Sequence, residues 1–207
     1  MKKNYLILPI MVFLIGFLTL IPRFAYANDP IGMLQNVANQ MVANLKQNKM
    51  TLKTHPTIVY SLSYKIIVPH ADLDEMARRV LPPQTWGRAS AGQKSEVKKE
   101  LTTFLVRTYA SALAQYSDET VRFFPIRGGY QNKTGVKVDS QIIRSQGPAI
   151  AVSYSVVNKG SQWKLFDMSV EGISMLESFR SQFADQLSRG DINALISTLR
   201  AHNNRNS

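Results

Sequence analysis

The hydrophobic period of this 207-residue chain changes once, near residue 120, and that change limits the folds it can adopt. Before it, apolar residues recur every three or four positions, which is typical of amphipathic helices. After it, four segments alternate at the two-residue period of strands: residues 120–126, 135–145, 149–157 and 162–170. Because short links join the last three, we expect an antiparallel sheet. The pattern predicts an α+β domain with helices packed on a four-stranded antiparallel sheet.

Several residues mark where helices begin and end. Asp29 before Pro30 is a helix start, and Ser90 with Gln93 forms a capping box. Ser174 with Glu177 forms a second one. Paired prolines at residues 82–83 stop a helix. We therefore predict six helices, over residues 30–45, 56–68, 72–81, 91–116, 175–188 and 191–200, with a frayed tail after the last.

The first 27 residues have the layout of a secretory signal peptide. A basic start precedes an apolar run over residues 5–21, and Ala25-Tyr26-Ala27 follows it. This order predicts cleavage after Ala27, which leaves a single domain over residues 28–207. The alternative is an uncleaved membrane anchor, because the apolar run is nearly long enough to span a bilayer. The chain has no cysteine, which excludes a lipoprotein anchor.

Composition restricts the chemistry open to the chain. Without cysteine there is no disulfide, thiol nucleophile or cysteine-ligated metal. The three histidines, His55, His70 and His202, lie in separate segments without ligand spacing, so we expect no metal site and no cofactor. The formal net charge of +11 favours anionic partners. For an exported chain these are acidic proteins or anionic lipid headgroups rather than nucleic acid.

The last predicted strand, residues 162–170, is apolar on both faces. Strict alternation puts Trp163, Leu165, Asp167 and Ser169 on one face, and Lys164, Phe166, Met168 and Val170 on the other. Asp167 stands among aromatic residues. It could be a catalytic base with a raised pKa, or it could pair with Arg180 from a covering helix. We favour the structural pair, because structural ion pairs also produce acids in such surroundings.

A set of apolar residues accompanies this strand. It comes from the long helix, the strands and the closing helix: Phe104, Leu105, Tyr109, Leu113, Val121, Phe123, Ile150, Val152, Tyr154, Phe166, Met168, Val170, Phe179 and Phe183. These residues either pack together as an ordinary core or line a cavity for an apolar ligand. The periodicity indicates only that the apolar side of each helix or strand packs against something apolar, so both interpretations stay open.

Three long blocks resemble one known family. They are IIVPHADLDEMARRVL (residues 66–81), FLVRTYASALAQY (104–116) and WKLFDMSVEGISMLESFRSQF (163–183). In order and spacing they are similar to blocks of the MlaC family of periplasmic phospholipid carriers, also called the toluene-tolerance protein family. The resemblance covers roughly residues 30–199. The chain departs from the family at Tyr64-Lys65 and at Pro82-Pro83, which puts partner contacts there in doubt.

The resemblance implies a nuclear-transport-factor-like fold with an apolar cavity between sheet and helices. The cavity would hold the acyl tails of a glycerophospholipid, with Phe166, Met168 and Val170 facing them. The protein would be a monomeric periplasmic carrier without catalysis. It would exchange lipid with an outer-membrane lipoprotein–porin complex and with an inner-membrane ABC transporter and its substrate-binding ring, maintaining outer-membrane lipid asymmetry.

Four arginines are candidates for contact with headgroups or partners near the cavity mouth: Arg107, Arg122, Arg127 and Arg144. A plain solvated surface is the alternative for each of them. Two other functions also stay open. One is an enzyme on the same kind of fold that uses Asp167 as a base, and the other is an adaptor that binds acidic envelope proteins through its basic surface.

Overall fold

The computed structural model describes residues 29–115, 119–144, 146–160 and 162–205. The predicted signal peptide therefore lies outside the described residues. Within those ranges, no helix is both long enough and apolar enough to cross a membrane.

Within the described residues, helices make up most of the part before the sheet and nearly all of the part after it. The described residues form nine: α1 (Pro30–Gln47), α2 (Lys49–Thr54), α3 (Ile58–Ile66), α4 (Leu73–Val80), α5 (Pro83–Arg88), α6 (Ala91–Ala114), α7 (Met175–Gln182), α8 (Ala184–Arg189) and α9 (Ile192–Arg205). A short 3-10 turn, Val68–His70, links α3 to α4.

The predicted helix starts are confirmed by their side-chain hydrogen bonds. The Asp29 carboxylate accepts from the first backbone N–H groups of α1. Ser90 and Gln93 make a complete capping box at α6. The Ser174 hydroxyl accepts from the backbone N–H of Glu177 in α7. Such caps satisfy N–H groups that have no partner inside the helix.

The helical prediction is wrong in four places. It misses the short helix α2, which follows α1 after Asn48. Pro83 does not only stop a helix, because it occupies the first position of the short helix α5, where proline is well tolerated. The predicted helix 175–188 divides at Phe183 into α7 and α8. The last helix continues to Arg205, well beyond the predicted end at Arg200. In each case tertiary packing decides a boundary that local pattern leaves open.

The strands form one antiparallel sheet in simple sequence order. They are β1 (Thr120–Phe123), β2 (Gly135–Ile143), β3 (Ile150–Asn158), β4 (Trp163–Val170) and β5 (Ile173–Ser174). The predicted number of four strands is wrong, because β5 adds a fifth. It pairs with the end of β4 through a two-residue turn, Glu171-Gly172, and is too short to give an alternation signal.

A bulge in β4 changes which side chains share a face. Ser155 pairs with Asp167, but the next residue, Val156, pairs with Leu165. Phe166 is therefore the extra residue, and the alternation shifts by one position there. Trp163, Leu165, Met168 and Val170 consequently lie on one face of the sheet. The strict alternation predicted from sequence, with Phe166 beside Met168 and Val170, is wrong for this strand.

The buried residues form three clusters. The largest joins α4, α6, α7, α8 and α9 around Leu101, Phe104 and Phe179. A second joins α1, α2 and α3. The third packs the N-terminal half of α1 on the sheet, where Leu34 meets Val138, Val156 and Trp163. Two of the three clusters are thus helical, and only the third fills space against the sheet.

Candidate functional site

One face of the sheet is almost entirely apolar. Residues paired across antiparallel strands share a face, so the strand register defines this face as four rows. They are Val121–Ile142–Ile150, then Phe123–Ser140–Val152–Val170, then Val138–Tyr154–Met168, and then Val136–Val156–Leu165. We call this the apolar face. The opposite, polar face carries Lys137, Asp139, Gln141, Ser153, Ser155, Lys164 and Ser169, with Phe166 and Asp167 at the bulge.

The apolar face divides into a filled half and an open half. Around Val138 and Val156, which are fully buried, the side chains of α1 complete a core. The remaining apolar members belong to none of the three clusters of the described residues: Val121, Ile142, Ile150, Val152, Met168 and Val170. All of them except Val152 are only half-buried. We call these six residues the open half.

Half-buried apolar side chains that continue a fully buried part of the same sheet face need an explanation. A well-packed core removes such groups from water almost completely, as it does for Val138 and Val156. The open half keeps part of its surface accessible, although it is continuous with the filled half. An apolar face that the protein's own side chains leave partly uncovered is suited to an apolar ligand.

The predicted lipid-binding residues fall into three groups. Seven of the fourteen lie on the apolar face. Five of these belong to the open half, namely Val121, Ile150, Val152, Met168 and Val170, and the other two, Phe123 and Tyr154, pack at the adjoining core. Phe104, Leu105, Phe179 and Phe183 lie in the helical core, where Phe104 makes edge contacts with both other rings at 5.3 and 5.2 Å. Tyr109 and Leu113 pack at the margins of the helical clusters.

Phe166 lies apart from the other predicted lipid-binding residues. The bulge places it on the polar face, where the guanidinium of Arg79 lies 4.1 Å from its ring centre. Sequence reasoning also missed Ile142, which is paired with both Val121 and Ile150. The alternation of β2 could have identified Ile142. Its neighbour Ile143 is also apolar, however, so the sequence does not show which of the two lies on the apolar face.

The two tyrosines among the predicted lipid-binding residues are uncharged at neutral pH. Burial raises the pKa of Tyr154, although its contact with the Ser140 hydroxyl, 3.3 Å away, acts in the opposite direction. Burial also raises the pKa of Tyr109, against a hydrogen bond with Ser178 and with the Asp167 carboxylate adding to the rise. Both phenols therefore stay protonated at neutral pH, and Tyr154 adds no charge to the apolar face.

The structure gives Asp167 a structural partner set other than Arg180. Its carboxylate accepts hydrogen bonds from the Ser174 hydroxyl and from the backbone N–H groups of Met168 and Leu176. Arg180 pairs instead with Glu177, at 3.4 Å. The predicted Asp167–Arg180 pair is wrong. A carboxylate with three donors at the start of α7 is occupied in holding strand and helix together, which does not favour its use as a general base.

The four candidate arginines do not form one cluster around the open half. Arg107 donates to the backbone oxygen of Asn203 and lies over the Tyr60 ring. Arg144 donates to the Pro148 carbonyl within the β2–β3 link, at 2.6 and 3.1 Å. Arg122 is exposed on the polar face beside Phe124, and Arg127 is exposed in the loop that follows β1. Each of them therefore has its own surroundings.

Comparison with known proteins gives a consistent result. The family model described as "MlaC protein" matches residues 35–201. The toluene tolerance protein Ttg2D of Pseudomonas putida is 26% identical over 180 residues, which cover 84% of this chain and 82% of the relative. The intermembrane phospholipid transport system binding protein MlaC of Haemophilus influenzae is 26% identical over 185 residues, covering 87% and 85%.

A solved structure is also similar. It is a phospholipid-binding protein from Ralstonia solanacearum, in complex with a phospholipid, and it is 27% identical to this chain. The superposition has a TM-score of 0.75 and covers 84% of this chain and 96% of the neighbour. The arrangement of helices and antiparallel sheet is therefore shared with a protein whose structure contains a phospholipid.

Proposed function

Because the chain belongs to the MlaC family, we propose that it is a phospholipid carrier that holds acyl tails against the open half of the apolar face. One observation supports this most directly. Six apolar side chains of the sheet lie outside all three core clusters of the described residues, and five of them are only half-buried. A relative with the same fold binds a phospholipid.

The energetics suit a carrier without chemistry. Burying a lipid chain contributes about 0.8 kcal/mol per CH₂, so a chain of roughly 16 carbons is worth on the order of 12 kcal/mol before the costs of binding. Apolar contact alone is then enough to hold the tails, and the headgroup stays in water. The neutral Tyr154–Ser140 pair at the margin of the open half adds no charge that would oppose this.

The opening through which tails enter would lie at the β5 edge of the sheet. Ile173 pairs with Val170 and so continues the apolar face outward, yet its side chain is 67% exposed. A large exposed apolar residue that is continuous with a binding face is expected where a ligand passes from water into protein. The predicted signal peptide, periplasmic location and nuclear-transport-factor-like fold belong to the same proposal.

In this proposal the carrier moves glycerophospholipid between an outer-membrane lipoprotein–porin complex and an inner-membrane ABC transporter with its substrate-binding ring. Its role would be to maintain the lipid asymmetry of the outer membrane. The family resemblance and the name of the Haemophilus influenzae relative support this. The basic surface would steer short-lived encounters with anionic groups on these partners.

Native mass spectrometry of the protein purified gently from a periplasmic fraction tests the proposal. We expect a bound mass equal to intact phospholipid. Ile142→Glu places a charge in the open half and should abolish that mass. Gln141→Glu is the matched control, because it adds the same charge one residue away, on the polar face beside Arg122. If Ile142→Glu does not fold, Met168→Gln tests the same surface.

Two results would overturn the proposal. One is a clean apo mass for the wild-type protein that persists after incubation with phospholipid vesicles. The other is unchanged lipid content in folded Ile142→Glu and Met168→Gln. Circular dichroism melting of each variant establishes which of them are folded.

A further inference from the structure

A groove lies on the polar face, between α4 and the sheet. Its volume is about 540 Å³, and its lining includes Arg78, Arg79, Lys137, Ser155, Val157 and Phe166. That volume is within the usual range of binding sites. The site is distinct from the open half. It lies on the opposite face, and Lys137 is five residues from Ile142 along β2, a separation of roughly 17 Å.

A buried carboxylate organises the two arginines. Glu75 accepts hydrogen bonds from Nε and Nη2 of Arg78 and from Nε of Arg79, at 2.7 to 3.0 Å. Its side chain is 10% exposed, whereas those of Arg78 and Arg79 are 56% and 48% exposed. The helical spacings i,i+3 and i,i+4 place both guanidinium groups on this one carboxylate. They are therefore held in fixed positions at the groove before any ligand arrives.

Most of the donors on these arginines are not used by Glu75. Each guanidinium has five N–H groups in a planar fork, and Glu75 engages Nε of both and Nη2 of Arg78. Lys137 adds a third cation at the groove and is exposed. Fixed, partly exposed guanidinium groups bind carboxylates and phosphates well, because little side-chain freedom remains to be lost.

The floor of the groove is partly apolar. The β4 bulge turns Phe166 to this face, and Arg79 lies over its ring. Val157 adds a second apolar contact in the lining. A ligand that matches the groove has negative charge for the arginines and Lys137, and an apolar group for Phe166 and Val157.

We propose that this groove docks an acidic segment of a partner protein, with carboxylates on Arg78, Arg79 and Lys137 and one apolar side chain on Phe166. The concave shape favours a protein segment over a bilayer, since a flat headgroup surface does not reach the floor of a groove. The headgroup of a lipid in the open half is on the other side of the sheet. The inference extends the proposed function, because a carrier needs a docking surface that its cargo leaves free.

The test uses ¹⁵N-labelled protein and a short synthetic peptide containing two Asp residues and one Leu. A matched peptide with Asn in place of Asp is the control. We expect saturable shifts of the backbone amides of residues 135–137, 155–157 and 166 with the acidic peptide only. Lys137→Glu and Arg78→Gln should each weaken binding about tenfold, because charge complementarity is lost. Lys53→Glu, on α2, makes the same charge change away from the groove and should bind the peptide as the wild type does.

Lipid content, measured by native mass spectrometry on the same variants, separates this proposal from the previous one. Retained lipid with lost peptide binding supports a docking groove. Peptide binding that is absent in the wild type, or unchanged in Lys137→Glu and Arg78→Gln, overturns it. The docking-groove proposal is also overturned if the peptide does not bind and if the protein binds phosphatidylcholine–phosphatidylglycerol vesicles more weakly in these variants. A wild-type protein without bound lipid, together with peptide binding that falls in Lys137→Glu and Arg78→Gln, would count against the carrier proposal alone.

Discussion

Asp167 on β4 accepts a hydrogen bond from the Ser174 hydroxyl, 2.7 Å away, just before α7 begins. The same carboxylate accepts from the backbone N–H of Leu176 at 3.2 Å, and the Ser174 oxygen accepts from the N–H of Glu177 at 3.1 Å. Two side chains therefore cap the helix together, one of them from the neighbouring strand. This ties the strand that carries Met168 and Val170 to the helix that follows it.

Replacing Asp167 by Ala should destabilise the fold by about 1–2 kcal/mol, the usual cost of losing a helix cap. Asp167→Asn should cost less, because the amide oxygen still accepts a hydrogen bond. Chemical denaturation followed by circular dichroism measures both changes.

Asp139→Ala is the control for these variants. It removes an exposed acid of the polar face whose carboxylate accepts from Ser153, so its effect should be small. An equal loss of stability in Asp139→Ala and Asp167→Ala would contradict a capping role for Asp167.

The turn between β4 and β5 requires glycine at its second position. Glu171 and Gly172 have φ values of 50° and 82°, in the left-handed region that suits a tight two-residue hairpin. Glu171 is held there because its side chain accepts from the N–H of Ala151 at 2.5 Å and its own N–H donates to the Ala151 carbonyl. Gly172→Ala should therefore destabilise the protein by about 1 kcal/mol, through backbone strain alone.

Gly87→Ala is the matched control for the turn. A methyl group added at Gly87 or at Gly172 meets no atom within 4 Å, so the two sites differ in backbone conformation and not in space. Gly87 lies in α5, where alanine is the better helix former, and the change should be neutral or stabilising. Thermal melts in which both variants lose the same stability would argue against strain at Gly172.

Much of the fold could be predicted from the sequence, because its signals are local. The capping residues Asp29 and Ser90 mark helix starts through hydrogen bonds to the nearest N–H groups, and the structure confirms both. Four of the five strands have an alternation long enough to recognise. The class of fold and most element positions follow from such patterns.

The site was less predictable, because its defining feature is one inserted residue. The bulge at Phe166 moves Met168 and Val170 to the face of Trp163 and Leu165, and no local pattern marks a bulge among apolar residues. Sequence also does not distinguish Phe104, which fills a core, from Val121, which lies in the open half. Both are apolar at the right spacing, and the difference depends on contacts with distant segments.

Acid should destabilise the protein through Glu75. Burial alone would raise the pKa of this carboxyl, but hydrogen bonds and charge from Arg78 and Arg79 outweigh it and lower the pKa below the ordinary value of 4.5. A lowered folded-state pKa means that the stabilisation is present above about pH 4.5 and is lost as pH falls through the folded-state value. Burial would also raise the pKa of Asp72, but hydrogen bonds from the Glu75 N–H and from Lys159 outweigh it and lower that pKa. Asp72 therefore adds to the loss of stability in acid.

Glu75→Gln tests this origin of the pH dependence. The variant should be less stable than the wild type at neutral pH, and its stability should fall less steeply below pH 4.5, with the part due to Asp72 remaining. Glu177→Gln removes an exposed carboxylate paired with Arg180 and should change little. Urea unfolding at a series of pH values gives both slopes. If the stability of Glu75→Gln falls with pH as steeply as that of the wild type, Glu75 is not a source of the pH dependence.

The C-terminal end of α9 should be essential to stability, contrary to the frayed tail expected after Arg200. Asn203 is 3% exposed, and its amide donates to the Glu100 carbonyl at 3.1 Å and to the Glu100 carboxylate at 2.7 Å. Its backbone oxygen also accepts from Arg107.

Asn203→Ala leaves a buried carboxylate short of a donor, which should lower the free energy of unfolding by about 1–3 kcal/mol. Asn204→Ala, at the exposed neighbouring position, should stay within about 0.5 kcal/mol of the wild type. Urea denaturation distinguishes the two, and equal stabilities for both variants would mean that α9 does not depend on this contact with α6.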